Sequence, residues 1–212
     1  MKEYSTIIWD FNGTIIDDVM ASLQAVNDML TYRGQKMIDI KTYYSAVDVP
    51  IWKFYERVFE AGSITPQQAM VEYDEAYERH LQKNPLMEGI VDVLRYFRAR
   101  GKKQIVVSAS HVDKVTGRLH DLGIFRYFTC VLAHSDYNAG DKTYLAQKFL
   151  NDNKINAEDV VVIGDCVFDY QMAAALGCDC ILNTRGHQSR REYSGIPVEV
   201  IDYLDELRSI IK

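Results

Sequence analysis

No stretch of this chain approaches the roughly 18 apolar residues that mark a membrane-spanning helix. The chain enters a strand-like run almost at once, without the charged leader, apolar segment and cleavage site of a signal peptide. A cytoplasmic protein without membrane attachment is expected. There is no basic excess either: 24 Lys and Arg stand against 30 Asp and Glu, a formal net charge of −6. That is the wrong sign for a nucleic-acid footprint. Cysteines are few, and Cys130, Cys166, Cys178 and Cys180 fall on or beside expected strands. Free structural thiols are expected rather than disulfides. Cys178-x-Cys180 lacks the second ligand pair of a zinc site. Internal repeats and low-complexity segments are absent as well. What remains is an ordinary globular composition, 48% hydrophobic and 25% charged over 212 residues. That length suits one domain with an insert, or two small domains. It suffices to bury about 70% of the unfolded surface.

The chain is organised around Ile7-Ile8-Trp9-Asp10-Phe11-Asn12-Gly13-Thr14. Its β-branched and aromatic start reads as a short strand buried on both faces. Asp10 falls at the strand end, and Gly13 permits a sharp exit. Helical patterns then run without a strand from residue 17 to about 81. Asp17 or Asp18 is expected to cap the first of these helices and Gly34 to end it. Residues 35–48 give no clear period. A helix is expected over residues 50–60. Thr65-Pro66-Gln67-Gln68 reads as an N-cap, an N1 proline and a capping-box glutamine. From Met87 onward helices and strands alternate, with strands at 104–108, 127–132, 160–163, 179–182 and 198–201. This alternation predicts an α/β fold, a doubly wound parallel sheet with an inserted α-helical segment. The domains expected are 1–16 with 82–212 as the α/β core, and 17–81 as the helical insert.

Chemistry-bearing residues collect where these strands end. Ser108 ends the second, Lys142 follows the third in Gly140-Asp141-Lys142, and Asp165 and Asp169 follow the fourth. In an open α/β sheet ligands bind outside the carboxyl ends of the strands. Three acids gathered there need a cation, and hard oxygen ligands suit Mg²⁺. A lysine and a hydroxyl beside a metal suit a phosphoryl group, whose charge must be neutralised in the transition state. A carboxylate can itself be the nucleophile. Taken singly, Ser110 reads as a helix N-cap with Asp113 completing a capping box, and His111 as a surface residue.

In order and context, Asp10-Phe11-Asn12-Gly13-Thr14, Ser108, Lys142 and Gly164-Asp165-x-x-x-Asp169 resemble the four motifs of the haloacid dehalogenase-like (HAD) hydrolases. The resemblance covers nearly the whole chain. It implies a HAD-like Rossmannoid core with sheet order 5-4-1-2-3, and makes the helical insert similar to the C1-type cap of the phosphoglycolate phosphatase and β-phosphoglucomutase branch. It further implies that Asp10 attacks phosphorus and that Asp10, the Asn12 carbonyl and Asp165 hold Mg²⁺. Asp169 would support Asp165 or ligate through water. Gly13, Ser108 and the Ala109 amide would serve the phosphoryl group, and Lys142 would neutralise charge. The partner implied is a small phosphorylated metabolite, with the protein a monomer or homodimer.

One residue departs from the pattern. The family's phosphatases carry a second Asp two residues after the nucleophile, which protonates the leaving group and then activates water; here Asn12 stands there. Such acid–base help is worth roughly 10²–10⁴-fold. Three readings stay open. The chain is a Mg²⁺-dependent phosphatase, slow or selective for good leaving groups. It is a phosphonatase-like hydrolase, a branch with Ala at this position that uses a cap lysine as a Schiff base; Lys36, Lys41 and Lys53 are the lysines available. Or it binds a phosphorylated ligand without turnover.

Overall fold

The structure, a computed structural model, describes residues 2–135 and 142–212. They divide into two compact units, one of the residues up to Asp17 and from Leu86 onward, the other of Asp18–Pro85.

The first unit is built on a parallel sheet of β1 (Thr6–Trp9), β2 (Lys103–His111), β3 (Cys130–His134), β4 (Val160–Gly164), β5 (Asp179–Asn183) and β6 (Glu199–Ile201). Its order is β3-β2-β1-β4-β5-β6. The first five strands follow the expected order, and the short strand expected at 198–201 joins them as β6 at the β5 edge. The central strands carry continuous apolar runs because both their faces are covered there. All four residues of β1 are buried, as are Ile105–Val107 and Val160–Ile163. Trp9 pairs with Val106 on one side and Ile163 on the other. Chain order reverses between β1 and β4, so the crevice of an open α/β sheet falls at the carboxyl ends of these two strands. Flanking helices are α5 (Ile90–Ala99), α6 (Val112–Asp121), α7 (Lys142–Asp152), α8 (Val167–Leu176) and the short α9 (Leu207–Ile210).

Two local expectations are corrected. The strand expected from residue 127 begins three residues later: Phe125–Tyr127 form one 3₁₀ turn, and β3 starts at Cys130. The N–H groups of Tyr127 and Phe128 close that turn onto Ile124 and Phe125, and only Thr129 N–H reaches across to Gln104 O, at 2.7 Å. Ser110 does not cap α6. β2 continues through His111, whose Nδ1 accepts the Asp113 N–H at 3.3 Å and supplies the cap.

Trp9 anchors the core under the site. Its Nε1 donates to Gln104 Oε1 at 3.2 Å, and Gln104 Nε2 donates to Leu94 O at 3.0 Å, so the two buried polar groups satisfy one another. Phe97 packs against Trp9 with ring centroids 6.5 Å apart and is fully buried. Phe97→Ala is therefore expected to destabilise the protein by about 3–5 kcal/mol, the transfer and cavity cost of a buried aromatic. Urea unfolding checks it; a loss below about 1 kcal/mol would mean that the site collapses around the gap.

The second unit holds α1 (Val19–Tyr32), α2 (Ile40–Ala46), α3 (Trp52–Val58) and α4 (Pro66–His80). Val26, Leu30, Tyr43, Phe54 and Ala69 belong to its buried core. The capping box of Thr65 and Gln68 forms as its sequence predicts. Asp18 stands at the N-cap of α1 without capping it, because its buried carboxylate accepts the Tyr77 hydroxyl at 2.7 Å. α2 lies in the segment without clear period. It is held at its entry by Asn27, which donates to Ile38 O at 3.0 Å and accepts from Ile38 N–H at 2.8 Å. Lys36, Lys41 and Lys53 are exposed.

Candidate active site

Asp10 is the first residue beyond β1, and its N–H continues the ladder to Ile163 O at 2.9 Å. A carboxylate placed by a buried strand in this way has little freedom. Lys142, at the start of α7, donates to Asp10 Oδ1 and to Asp169 Oδ1, the latter at 2.6 Å. Its side chain is only 15% exposed, so the lysine is a buried ion-pair partner and not a solvated loop charge. Gly140 and Asp141, the residues ahead of it, lie outside the described residues.

Asp169 is bound at both oxygens. Oδ1 takes Lys142, while Oδ2 accepts the N–H of Asp165 at 3.1 Å and of Cys166 at 3.0 Å. It caps α8 and fixes the turn that carries Asp165. Asp165 accepts from Thr14 Oγ1 at 3.0 Å through Oδ1 and from His187 N–H at 2.6 Å through Oδ2. The three acids and Lys142 thus form one buried cluster. Three carboxylates against one ammonium leave a surplus of negative charge. Burial pushes the Asp10 carboxyl well above the usual range; Lys142 draws it back, and Asp169 and Asp165 add to the rise. Burial likewise pushes Asp165 up to about 6, against the opposing pull of His187. Lys142 shows the converse: burial would lower it, but Asp10 and Asp169 outweigh burial and hold its ammonium above the ordinary lysine range. Buried charges need pairing, so this surplus fits a divalent cation bound by oxygen. Cys166 is the poorer donor for such an ion. Its Sγ lies with oxygens of Asp165 and Asp169 inside 4.8 Å, but burial holds the thiol well above its usual range. A neutral thiol is no ligand for a hard cation.

Ser108, buried at 2% exposure, accepts the Ser110 N–H at 3.1 Å. Ser110 Oγ in turn donates to Asn12 Oδ1 at 3.0 Å. Asn12 is thereby tied to the end of β2, and Ser110 becomes a site residue that its sequence context disguised as a cap. Ala109 is exposed beside them.

A second feature, the loop after β5, carries no sequence signal beyond its glycine. Asn183 Nδ2 donates to Gly164 O at 3.1 Å and Gly13 O at 3.3 Å, joining the turns after β1 and β4. The Tyr193 hydroxyl lies 2.5 Å from Asp165 O and 2.9 Å from both Asn183 O and Gln188 O. Gln188 Oε1 accepts Val167 N–H at 2.8 Å. Glycines make the room. A Cβ on Gly164 would collide with the Asp169 carboxylate, and one on Gly186 with Asp165. Gly13 combines a φ of +75° with a Cβ position that would strike Asp165 and His187. Gly186→Ala is expected to displace Asp165 and to destabilise the protein by about 1–3 kcal/mol, the cost of overpacking a filled site. Urea unfolding checks it, and an unchanged midpoint would rule it out.

The family pattern described as haloacid dehalogenase-like hydrolase matches residues 7–183. Phosphoglycolate phosphatase 1 of Pseudomonas aeruginosa is 24% identical, over 95% of this chain and 77% of its own length. The fructose-1-phosphate phosphatase YqaB of Escherichia coli is 25% identical, over 85% of this chain and 96% of its own. Among solved structures, the haloacid dehalogenase-like protein SP0104 from Streptococcus pneumoniae superposes with a TM-score of 0.83 at 17% identity, covering 98% of each chain. Among the described residues no helix is long and apolar enough to cross a membrane. The chain is a member of the haloacid dehalogenase-like hydrolase family.

Proposed function

We propose that this hydrolase is a Mg²⁺-dependent phosphatase of small phosphorylated metabolites. The observation that carries the reading is Asp10, buried at the switch point and ion-paired to Lys142 beside two further carboxylates. Mg²⁺ would be held by Asp10, Asp165 and the Asn12 carbonyl, and would let the anionic nucleophile meet an anionic phosphoryl group. Asp169 supports Asp165 and Lys142. The Asp10 carboxylate attacks phosphorus, the bond to the leaving oxygen breaks, and water then hydrolyses the aspartyl phosphate. Ser108 and the Ala109 amide bind phosphoryl oxygens, while Lys142 offsets charge on Asp10 and on the group in transfer.

The helical segment 17–81 is the cap in this reading, and selectivity belongs to it. The two relatives named are called phosphatases of different esters at nearly equal identity, which supports the class of substrate and no single member of it. A phosphonatase-like route fits less well, since a Schiff-base lysine needs a desolvated or cationic setting and Lys36, Lys41 and Lys53 are exposed. Asn12 favours one second reading, a phosphometabolite-binding protein without turnover. Phosphate release from p-nitrophenyl phosphate, acetyl phosphate, phosphoglycolate and sugar phosphates, with Mg²⁺ and with EDTA, decides. Release with Mg²⁺ that falls at least about 100-fold with EDTA is expected. Binding of phosphate esters with no release from any of them would establish the second reading.

A further inference from the structure

We propose that the natural substrates of this enzyme are acyl phosphates, mixed phosphoric–carboxylic anhydrides whose leaving group departs as a carboxylate and needs no proton. The inference rests on the phosphatase reading of Asp10 and concerns which phosphoryl donors the site takes.

Asn12 lies two residues beyond Asp10, with Oδ1 occupied by the Ser110 hydroxyl at 3.0 Å. Ser110 is fixed in turn by its N–H to Ser108 Oγ. The carboxamide is therefore held in place next to the phosphoryl-binding serine. A carboxamide donates hydrogen bonds but neither gives up nor accepts a proton near neutral pH. Among the described residues, the charged side chains of the Asp10 cluster are engaged with one another and with the backbone around them. Lys142 is ion-paired to both Asp10 and Asp169. The oxygens of Asp169 are taken by Lys142 and two backbone N–H groups. Those of Asp165 are taken by Thr14 and His187. None of these groups is placed to hand a proton to an alkoxide as it leaves.

An ordinary alkyl ester needs that proton, because alcohols are far weaker acids than carboxylic acids, whose pKa is about 4. An acyl phosphate does not. Attack forms the bond from an Asp10 oxygen to phosphorus and breaks the bond to the acyl oxygen, whose electron pair stays on the departing carboxylate. The aspartyl phosphate so formed is itself an acyl phosphate. Water then bonds to phosphorus, the Asp10–phosphorus bond breaks and returns its electron pair to Asp10, and the proton of the water ends on the released phosphate. The phosphoryl group passes between two carboxylates, and neither step expels a basic oxygen. Asn12 suits this donor and handicaps the hydrolysis of alkyl esters.

The test measures kcat/KM with Mg²⁺ for acetyl phosphate, pyrophosphate, p-nitrophenyl phosphate and glycerol 3-phosphate. Wild type, Asn12→Asp and His187→Gln are compared, with Asp10→Asn as the blank. Wild type should prefer acetyl phosphate over glycerol 3-phosphate by at least about 1,000-fold. Asn12→Asp should raise turnover of glycerol 3-phosphate by roughly 10²–10⁴-fold, the worth of general acid–base help, and that of acetyl phosphate by less than about tenfold. A wild-type preference within about tenfold would overturn the proposal by revealing another proton donor, identified as His187 if His187→Gln restores the steep preference. Pyrophosphate matching acetyl phosphate would overturn the assignment to carboxylate leaving groups. Turnover by Asn12→Asp with wild type silent on every donor would refute the proposal and leave the Asp10 site standing. Silence from both proteins would refute the phosphatase reading itself.

Discussion

Asp10→Asn is expected to lower phosphate release by roughly 10⁴–10⁶-fold, the scale on which a lost nucleophile is felt. The substitution keeps the volume of the side chain and its place at the end of β1. Lys142 keeps its contact with Asp169 at 2.6 Å, so the cluster retains an ion pair. What disappears is one of three mutually repelling buried carboxylates, the one that burial and its neighbours push well above the usual range. The metal-free variant should accordingly unfold within about 1 kcal/mol of wild type, because relief of carboxylate repulsion offsets the lost pair and Lys142 keeps a charged partner. Loss of turnover with folding intact separates nucleophile from scaffold. The measurement pairs phosphate release with urea unfolding in EDTA. Turnover within tenfold of wild type would place the attacking group elsewhere, and a large fall in stability would make Asp10 a structural partner of Lys142.

The fold was legible because its signals are local and strong. Continuous apolar runs at 7–9, 105–107 and 160–163 are short and rich in β-branched residues, as strands covered on both faces are, and Gly13 and Gly164 mark the exits of the first and the last. The acids, the serine and the lysine at the ends of those strands were legible for the same reason, since position on a parallel sheet dictates that they meet. The sequence misled where a side chain bonds at long range. Ser110 has the residue type and spacing of a helix cap, yet its hydroxyl serves Asn12, 98 positions away. Asp18 stands where a cap belongs and serves Tyr77 instead. Thr14, Asn183, Gln188 and Tyr193 follow no period, and their polar groups become significant only once β1, β4 and β5 lie side by side. His111 could not be read as a cap, because imidazole seldom fills that place.

Lys142→Met should reveal how far the cluster depends on its ammonium. Methionine keeps much of the length and apolar volume of the lysine stem but leaves Asp10 and Asp169 facing each other without an ammonium between them. Removing one partner of a buried ion pair costs about 3–5 kcal/mol, because the charge left behind stays desolvated. The pairs here are buried enough for that figure, with side chains 15%, 11% and 2% exposed. Lost stabilisation of the phosphoryl charge should add a fall in turnover of roughly 10²–10³-fold. The two effects respond differently to Mg²⁺. A bound cation supplies charge to the orphaned carboxylates, so it should restore more stability to Lys142→Met than it adds to wild type, and leave turnover low. Lys142→Arg is not expected to rescue either, since the planar guanidinium cannot occupy the place of a compact ammonium between two carboxylates. Urea unfolding with and without Mg²⁺, beside initial rates, checks all three proteins. If Lys142→Met is as stable as wild type in EDTA, the carboxylates must already share protons and the buried charge is smaller than the geometry implies. If Mg²⁺ rescues turnover along with stability, Lys142 acts by holding Asp10 in place and its charge has no part in the transfer.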